Sequence, residues 1–163
     1  MNRINIGCGP DIKDGWTNAD SHPWEGSVNW DILNPPRVEW VKKFDLALVN
    51  HTLCLLGYDE VDVALGNIME VLVPGGVIEV IDMDVLKAFD NFNRKNKSGF
   101  AGLDESFDSM LCKHLVGYGR KSIYTAQSMK EKLEKAGFKR VYVAQGSADD
   151  LRPEESFVVR GVK

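Results

Sequence analysis

Two glycines spaced by one residue follow the first apolar segment of the chain, and an acid ends the next segment. Gly7 and Gly9 stand directly after residues 4–6, and Asp20 closes the stretch 17–20. Glycines at such a turn let backbone N–H groups approach a ligand without interference from Cβ atoms. A carboxylate beside the turn can accept hydrogen bonds from a ribose diol. The pattern therefore predicts a nucleotide-binding turn; the alternative is an ordinary tight turn, with Asp20 capping the next segment.

The same stretch resembles a known protein family. Residues 4–10 read Ile-Asn-Ile-Gly-Cys-Gly-Pro, and residues 15–20 read Gly-Trp-Thr-Asn-Ala-Asp. This is similar to the opening of the small class I S-adenosylmethionine-dependent methyltransferases of the type 11 group, whose motif reads Leu-Asn-Leu-Gly-Cys-Gly-Pro. The resemblance implies S-adenosylmethionine as the cofactor. The residues that it implies for cofactor binding here are Gly7, Cys8, Gly9 and Asp20.

A further acid follows at the end of a short predicted strand. Residues 28–31 form this third strand, and Asp31 ends it. Because the carboxyl ends of parallel strands face one crevice, we expect Asp31 beside the glycine turn. In the resembling methyltransferases the acid at this point accepts from the adenine amino group and the next backbone N–H meets the ring, which implies these roles for Asp31 and Ile32. The alternative is that Asp31 starts the turn at residues 34–36.

The fourth strand carries the candidate catalytic residue at its end. Residues 44–49 are a near-continuous apolar run, typical of a central strand covered on both faces, and Asn50 and His51 follow it. The family often has His-Val-Leu-Glu-His here; His51 is kept, while Cys54 and Leu55 replace the later Glu and His. The resemblance places Asn50 and His51 beside the methionine end of the cofactor, where an imidazole could take a proton from an attacking hydroxyl or amine. The alternative for His51 is a capping or packing role.

The rest of the chain alternates helices with strands. Apolar spacing predicts a helix ending at Leu72, and residues 74–76, Pro-Gly-Gly, resemble the family's turn into a fifth strand at 77–82. Both glycines of this turn are expected to have positive φ. Residues 117–124 resemble the family's His-Lys-Ser segment, with Arg120 where histidine is usual. The other predicted elements are a helix from residue 84, a second from Asp104, a helix capped by Thr125 and ended by Gly137, and strands at 141–143 and 156–162.

This alternation predicts an α/β fold: an open, mostly parallel Rossmann-like sheet with helices on both faces and an antiparallel edge strand. The 163 residues suit one methyltransferase-like domain spanning 1–163. Related enzymes place their substrate-facing insertion where residues 84–121 stand. Aromatic rings could hold the cationic sulfonium, and the candidates are Trp24, Trp30 and Tyr124; the alternative for each tryptophan is buried packing.

Composition limits the class of protein. The chain is 44% hydrophobic and 27% charged, and no apolar run approaches the roughly 20 residues of a membrane span. A predicted strand begins almost at once, so we expect no targeting peptide and a cytoplasmic location. The net charge of −4 argues against nucleic acid as a partner, and the lysine-rich stretch 130–140 reads as a solvated helix face. The three cysteines, Cys8, Cys54 and Cys112, are expected to be free thiols without a metal site.

The sequence thus predicts methyl transfer from S-adenosylmethionine to an unidentified acceptor, by a protein that could complete its site as a homodimer. The altered loop at residues 51–55 leaves a non-catalytic S-adenosylmethionine or S-adenosylhomocysteine binding module as the first alternative. A nicotinamide-dependent oxidoreductase is the second. It is disfavoured because a dinucleotide fingerprint needs a third glycine opening a crossover helix, whereas Pro10 follows Gly9 here.

Overall fold

A computed structural model describes residues 1–93, 119–150 and 153–163. Its strands are β1 Arg3–Ile6, β2 Thr17–Asp20, β3 Val28–Asn29, β4 Phe44–Asn50, β5 Leu72–Met83, β6 Lys139–Ala144 and β7 Ser156–Val162. Its helices are α1 Glu60–Val71, α2 Val85–Asn93 and α3 Ala126–Lys135, with 3-10 turns at Val38–Trp40 and Leu53–Leu55. Within the described ranges every helix is too short or too polar to cross a bilayer. The helix predicted from Asp104, Cys112 and most of the region 84–121 lie outside these ranges.

The seven strands form one sheet in the order β3-β2-β1-β4-β5-β7-β6. Strands β1 to β5 pair in parallel, and β7 runs antiparallel between β5 and β6. The predicted α/β class, with an open and mostly parallel sheet and antiparallel pairing towards one edge, is confirmed. The order reverses between β1 and β4, so the ends of β1, β2, β4 and β5 gather at one rim, where ligands bind in such sheets.

Side chains of the central strands point alternately to the two faces of the sheet and belong to two apolar clusters. The larger cluster lies on the face against which α1 and α3 pack, and the smaller one lies on the opposite face with Trp16 against it. Members of the larger cluster include Ala47, Val49, Ile78, Val80, Val61, Leu65, Ile68, Met129 and Leu133. The smaller cluster consists of Leu48, Ile81 and Val158. Strand β4 contributes to both clusters, which explains its near-continuous apolar sequence.

The Pro-Gly-Gly segment differs in one respect from the sequence expectation. Gly75 has φ of 82°, as predicted, but Gly76 is not among the residues with positive φ. Gly76 is needed for space instead: a Cβ there would lie 2.9 Å from the Val73 carbonyl oxygen and 3.1 Å from that of Phe44. The expectation of positive φ at Gly76 is therefore wrong; the close approach of the Val73 and Phe44 carbonyls is what requires glycine there.

Helix α3 begins and ends as the sequence predicts. The Ser128 N–H donates to Thr125 Oγ1 (3.0 Å), and the Thr125 N–H donates to Ser128 Oγ (2.9 Å). This reciprocal pair satisfies two backbone donors at the helix start. Gly137, with φ of 101°, follows the last turn.

Replacing Thr125 with alanine is expected to lower the free energy of unfolding by about 1 kcal/mol, because the Ser128 N–H loses its acceptor. Urea unfolding with an unchanged m value would measure the loss. The matched control is Gln127→Ala, an exposed position in the same helix, expected to stay within about 0.5 kcal/mol of the native protein. Identical midpoints for both variants would show that the cap contributes nothing.

One lysine of the predicted solvated face is buried. Lys130 pairs with Glu134 across one helical turn, as a surface residue does. The Lys132 side chain is only 6% exposed, and its Nζ donates to Asp62 Oδ1 (2.8 Å) and to the Tyr58 carbonyl (2.9 Å). The solvated-face prediction is wrong for Lys132, because this residue ties α3 to α1.

Candidate active site

The glycine turn after β1 is fastened to β2. The N–H groups of Gly7 and Cys8 both donate to the Ala19 carbonyl, at 2.8 and 3.2 Å. Gly7 and Gly9 have φ of 66° and 51°. A Cβ at Gly7 would lie 2.2 Å from Thr52 Oγ1, whereas a Cβ at Gly9 would meet no atom within 4 Å. Gly7 is therefore required for packing, and Gly9 borders open space at the rim.

Asp20 contacts the glycine turn directly. Its Oδ2 accepts the Gly9 N–H (2.9 Å), and its Oδ1 accepts the His22 N–H (2.8 Å). The bond to His22 caps the following segment, which is the alternative role that the sequence analysis gave to Asp20. Each carboxylate oxygen can accept more than one hydrogen bond, so the half-buried Asp20 keeps acceptor capacity towards the rim.

Cys8 lies in the same turn as a buried thiol. Burial, and next the negative charge of Asp20, raise the pKa of Cys8 above its ordinary value. The side chain therefore stays protonated at neutral pH. Cys8 and Cys54 are both free, as predicted, and what Cys8 can offer a ligand is its backbone.

Asp31 lies just beyond β3, which ends two residues earlier than the sequence suggests. The Trp30 N–H donates to the Asp20 carbonyl (2.8 Å), so Asp31 follows a residue bonded to the end of β2. Asp31 Oδ1 accepts the Leu33 N–H (2.9 Å), as the turn alternative requires. Ile32 is buried. The structure thus brings Asp31 near the rim and engages one of its oxygens in a local turn.

Two of the three aromatic residues proposed for the sulfonium belong to the core. Trp30 is buried and meets Trp40 edge to face, with ring centroids 5.6 Å apart. Tyr124 is buried and stacks on Tyr58. Because apolar packing covers these rings, the expectation that Trp30 and Tyr124 hold a cation is not supported. Trp24 is the exposed member of the set.

Asn50 ends β4 and joins the rim to the connection after β6. Its Nδ2 donates to the Asp149 carbonyl (3.1 Å), and the Asp149 carboxylate pairs with Lys13 Nζ (2.7 Å). Asn50 Oδ1 is buried and has no hydrogen-bond partner among the described residues. A buried acceptor without a hydrogen-bond donor destabilises the folded protein. A ligand that donates a hydrogen bond to this oxygen would remove that penalty.

His51 belongs to a charged cluster at the ends of β4 and β5. Asp82, 1% exposed at its side chain, accepts from Arg120 Nη1 at 2.7 Å, and the His51 Nδ1 lies 3.3 Å from Asp82 Oδ1. Burial favours the neutral acid, but the hydrogen bond from His51 and the charge of Arg120 outweigh burial and lower the pKa of Asp82. Asp82 is therefore a carboxylate at neutral pH.

Cys54 completes this cluster through its backbone. Its N–H donates to Asp82 Oδ2 (3.3 Å). Burial, followed by the nearby Asp82 charge, raises the pKa of the Cys54 thiol far above its usual range. The residue that replaces the family's glutamate is therefore no thiolate nucleophile.

Comparisons with known proteins were made at the level of sequence and of structure. No protein-family model matches the sequence, and no curated protein matches it either. Solved structures do match. A SAM-dependent methyltransferase from Thermotoga maritima, described as a possible histamine N-methyltransferase, aligns with a TM-score of 0.66 and 19% identity over 99% of this chain and 82% of its own. The N-methyltransferase NodS from Bradyrhizobium japonicum WM9, solved with S-adenosyl-L-homocysteine, aligns with a TM-score of 0.57 and 17% identity over 100% of this chain and 78% of its own.

A third match is the CMeT domain of the citrinin polyketide synthase, with a TM-score of 0.66 and 13% identity. The alignment covers 99% of this chain, which spans 46% of that longer chain. The fold is that of the class I SAM-dependent methyltransferases.

The rim of this methyltransferase fold can be tested for S-adenosylmethionine on its own chemistry. Gly9 leaves a space that a Cβ would fill. Asp20 supplies carboxylate oxygens for hydroxyl groups, and Asn50 Oδ1 supplies an orphaned acceptor for an ammonium group. These acceptors therefore fit the hydroxyl and ammonium groups of the cofactor.

Sequence reasoning missed two residues of the methyltransferase rim. Asp82 was recognised only as the last residue of the fifth strand, although the rule that singled out Asp20 and Asp31 applies to it equally. Arg120 was noted only as a departure from the family histidine. Its partner, Asp82, lies 38 residues away in the sequence, so no local sequence pattern predicts that the two residues pair.

Proposed function

We propose that this chain binds S-adenosylmethionine at the rim and transfers its methyl group to an acceptor still to be identified. The observation that carries the proposal is the hydrogen bond from the Gly9 N–H to the Asp20 carboxylate beside the open space over Gly9. It joins the turn and the acid that a nucleoside needs, within a fold shared with solved SAM-dependent methyltransferases.

Each of these residues would contact a different part of the cofactor. Asp20 would accept from the ribose hydroxyls, and the turn of Gly7, Cys8 and Gly9 would let the backbone approach. Asp31 and the Ile32 N–H would meet the adenine. Asn50 Oδ1 would accept from the methionyl ammonium, which would satisfy its buried lone pairs.

When bound, S-adenosylmethionine supplies a methyl group that its sulfonium has already made electrophilic. The work left to the protein is to hold the nucleophile in line and to keep water out. Residues 84–121, beginning at the end of β5, are proposed to face the acceptor.

Asp20→Asn is expected to weaken S-adenosylmethionine binding by about 10- to 100-fold, because a hydrogen bond to a charged group contributes about 1.5–3 kcal/mol. Isothermal titration calorimetry measures the change. Glu25→Gln, which removes an exposed acid from the following segment, is the control and should leave the affinity unchanged. Melting the ligand-free variants checks that the fold survives. Equal affinity in native protein and Asp20→Asn would overturn the ribose assignment.

Binding alone would not establish transfer. A non-catalytic module would be stabilised against heat by S-adenosylmethionine yet release no S-adenosylhomocysteine with any acceptor pool. Stabilisation by NAD and not by S-adenosylmethionine would instead favour an oxidoreductase.

A further inference from the structure

His51 has a backbone conformation that costs energy. Its φ is 50°, in the left-handed region that residues other than glycine rarely adopt. Its N–H nevertheless continues the β4–β5 ladder by donating to the Ile81 carbonyl (2.8 Å). Holding a non-glycine residue there costs about 1–3 kcal/mol, and such strain concentrates at functional sites. The strain here places the imidazole against the buried Asp82.

The two ring nitrogens of His51 have different surroundings. Nδ1 faces inward, 3.3 Å from Asp82 Oδ1. The side chain is 36% exposed, and no hydrogen bond to Nε2 occurs among the described residues. One nitrogen is therefore held by the protein, and the other is left for a ligand as far as the described residues are concerned.

Two neighbours compete to set the tautomer at Nδ1. Asp82 is an acceptor and favours a proton on Nδ1, whereas Arg120 Nη2, 3.5 Å away, could donate to a bare Nδ1. Arg120 already donates from Nη1 to Asp82 at 2.7 Å, and its contact with the ring is the longer of the two. The shorter contact, to a carboxylate, favours the tautomer that protonates Nδ1 and leaves a lone pair on Nε2.

Resting on the proposed function, we infer that His51 Nε2 is the proton acceptor of the reaction, with Asp82 as its positioning residue. The acceptor substrate is then one whose nucleophilic oxygen or nitrogen still carries a proton at neutral pH: a hydroxyl group or a protonated amine. A substrate that is already an anion, such as a thiolate or a carboxylate, would not need this arrangement.

Methyl transfer exchanges one bond for another and releases one proton. The substrate oxygen or nitrogen gains the methyl group, and the electron pair of the broken carbon–sulfur bond stays on the sulfur of the product thioether. The proton that the substrate loses passes to His51 Nε2. The resulting imidazolium lies beside the Asp82 carboxylate, which stabilises its charge, and it returns the proton to solvent before the next cycle.

The first test needs no cofactor and reads the tautomer from the unsubstituted protein. Long-range proton–nitrogen NMR correlation on the ligand-free protein reports which nitrogen of each neutral histidine carries the proton. His51→Asn identifies the signal by removing it, and Asn tolerates the left-handed backbone; His22→Gln should leave the signal in place. We expect a proton on Nδ1. A proton on Nε2 would overturn the inference, because that nitrogen would have no lone pair to offer.

The second test measures S-adenosylhomocysteine released from S-adenosylmethionine with three acceptor pools: phenols and alcohols, amines, and carboxylates. His51→Asn should lower the rate with the hydroxyl or amine pool by about 10²- to 10⁴-fold, as loss of a general base does, while calorimetry shows unchanged S-adenosylmethionine affinity. Product from the carboxylate pool alone, or an undiminished rate in the variant, would contradict the inference. Bound cofactor without product from any pool counts against the proposed transfer and leaves the NMR result to decide on His51.

Discussion

Replacing Arg120 with methionine is expected to lower the free energy of unfolding by about 3–5 kcal/mol at neutral pH, because it leaves a buried carboxylate without its cation. The Asp82 side chain is 1% exposed and that of Arg120 is 10% exposed, so water reaches neither group freely. Methionine keeps much of the volume of the arginine stem, so the loss reports on charge more than on packing. Denaturant unfolding at fixed ionic strength measures it.

The pH dependence of this loss has a definite sign. Asp82 has a lowered pKa in the folded protein, so its ionised form adds stability above the unfolded-state value of about 3.9, and that stability is lost as the pH falls. The difference in stability between native protein and Arg120→Met should therefore be widest at neutral pH and shrink as the pH falls below about 4, where protonation of Asp82 removes the charge that the guanidinium stabilises.

Two companion variants make the Arg120 result specific. Arg120→Lys retains a cation and should lose less than Arg120→Met. Adding Asp82→Asn to Arg120→Met removes the orphaned charge and should recover part of the loss. If Arg120→Met were as stable as the native protein at pH 7, Asp82 could not be a buried carboxylate held by Arg120.

Alanine at Gly7 should destabilise the protein strongly, by about 2–5 kcal/mol. The positive φ of 66° costs about 1–2 kcal/mol for any residue with a Cβ. The new Cβ would also lie 2.2 Å from Thr52 Oγ1, and overpacking of this kind typically costs about 1–3 kcal/mol more. Thermal or denaturant unfolding measures the sum.

Alanine at Gly9 provides the matched comparison, because its φ is also positive but its Cβ would meet no protein atom. We expect a loss of only about 1–2 kcal/mol in stability, together with at least about a tenfold loss of S-adenosylmethionine affinity, or about 1.4 kcal/mol, because the Cβ fills the space proposed for the ligand. Equal stability losses in both variants would refute the packing role of Gly7. Unchanged affinity in Gly9→Ala would remove the cofactor from this part of the rim.

The sequence predicted those features of the fold that short-range patterns encode. A near-continuous apolar run predicted β4, and Thr125 as a capping residue predicted the start of α3. The end of β3 was less predictable: Asp31 Oδ1 binds the Leu33 N–H and draws the chain into a turn after Asn29. The space requirement at Gly76 depends on Phe44 in a neighbouring strand, which no local pattern shows.

In the candidate site, too, residues close together in the sequence were predictable and contacts between distant residues were not. Gly7, Gly9 and Asp20 lie within 14 residues of one another, and their spacing alone suggested that they would meet. Asn50 and Asp149 are joined across 99 residues, and Arg120 reaches Asp82 across 38. Such contacts depend on how the whole chain returns to the rim, so the sequence indicated which residues could bind or react but not which neighbours would hold them.

The position of β7 has a consequence for how the molecule is assembled. This strand follows β6 in the sequence, yet it lies between β5 and β6 and is the strand to which β6 is hydrogen-bonded. Asp82 pairs with Phe157 of β7, and the Asp84 N–H donates to the Glu155 carbonyl just before it. During synthesis the ribosome therefore releases β5 and β6 before the strand that joins them exists. Asp82, the carboxylate proposed to orient His51, gains its final surroundings only when this later-synthesised strand pairs with β5.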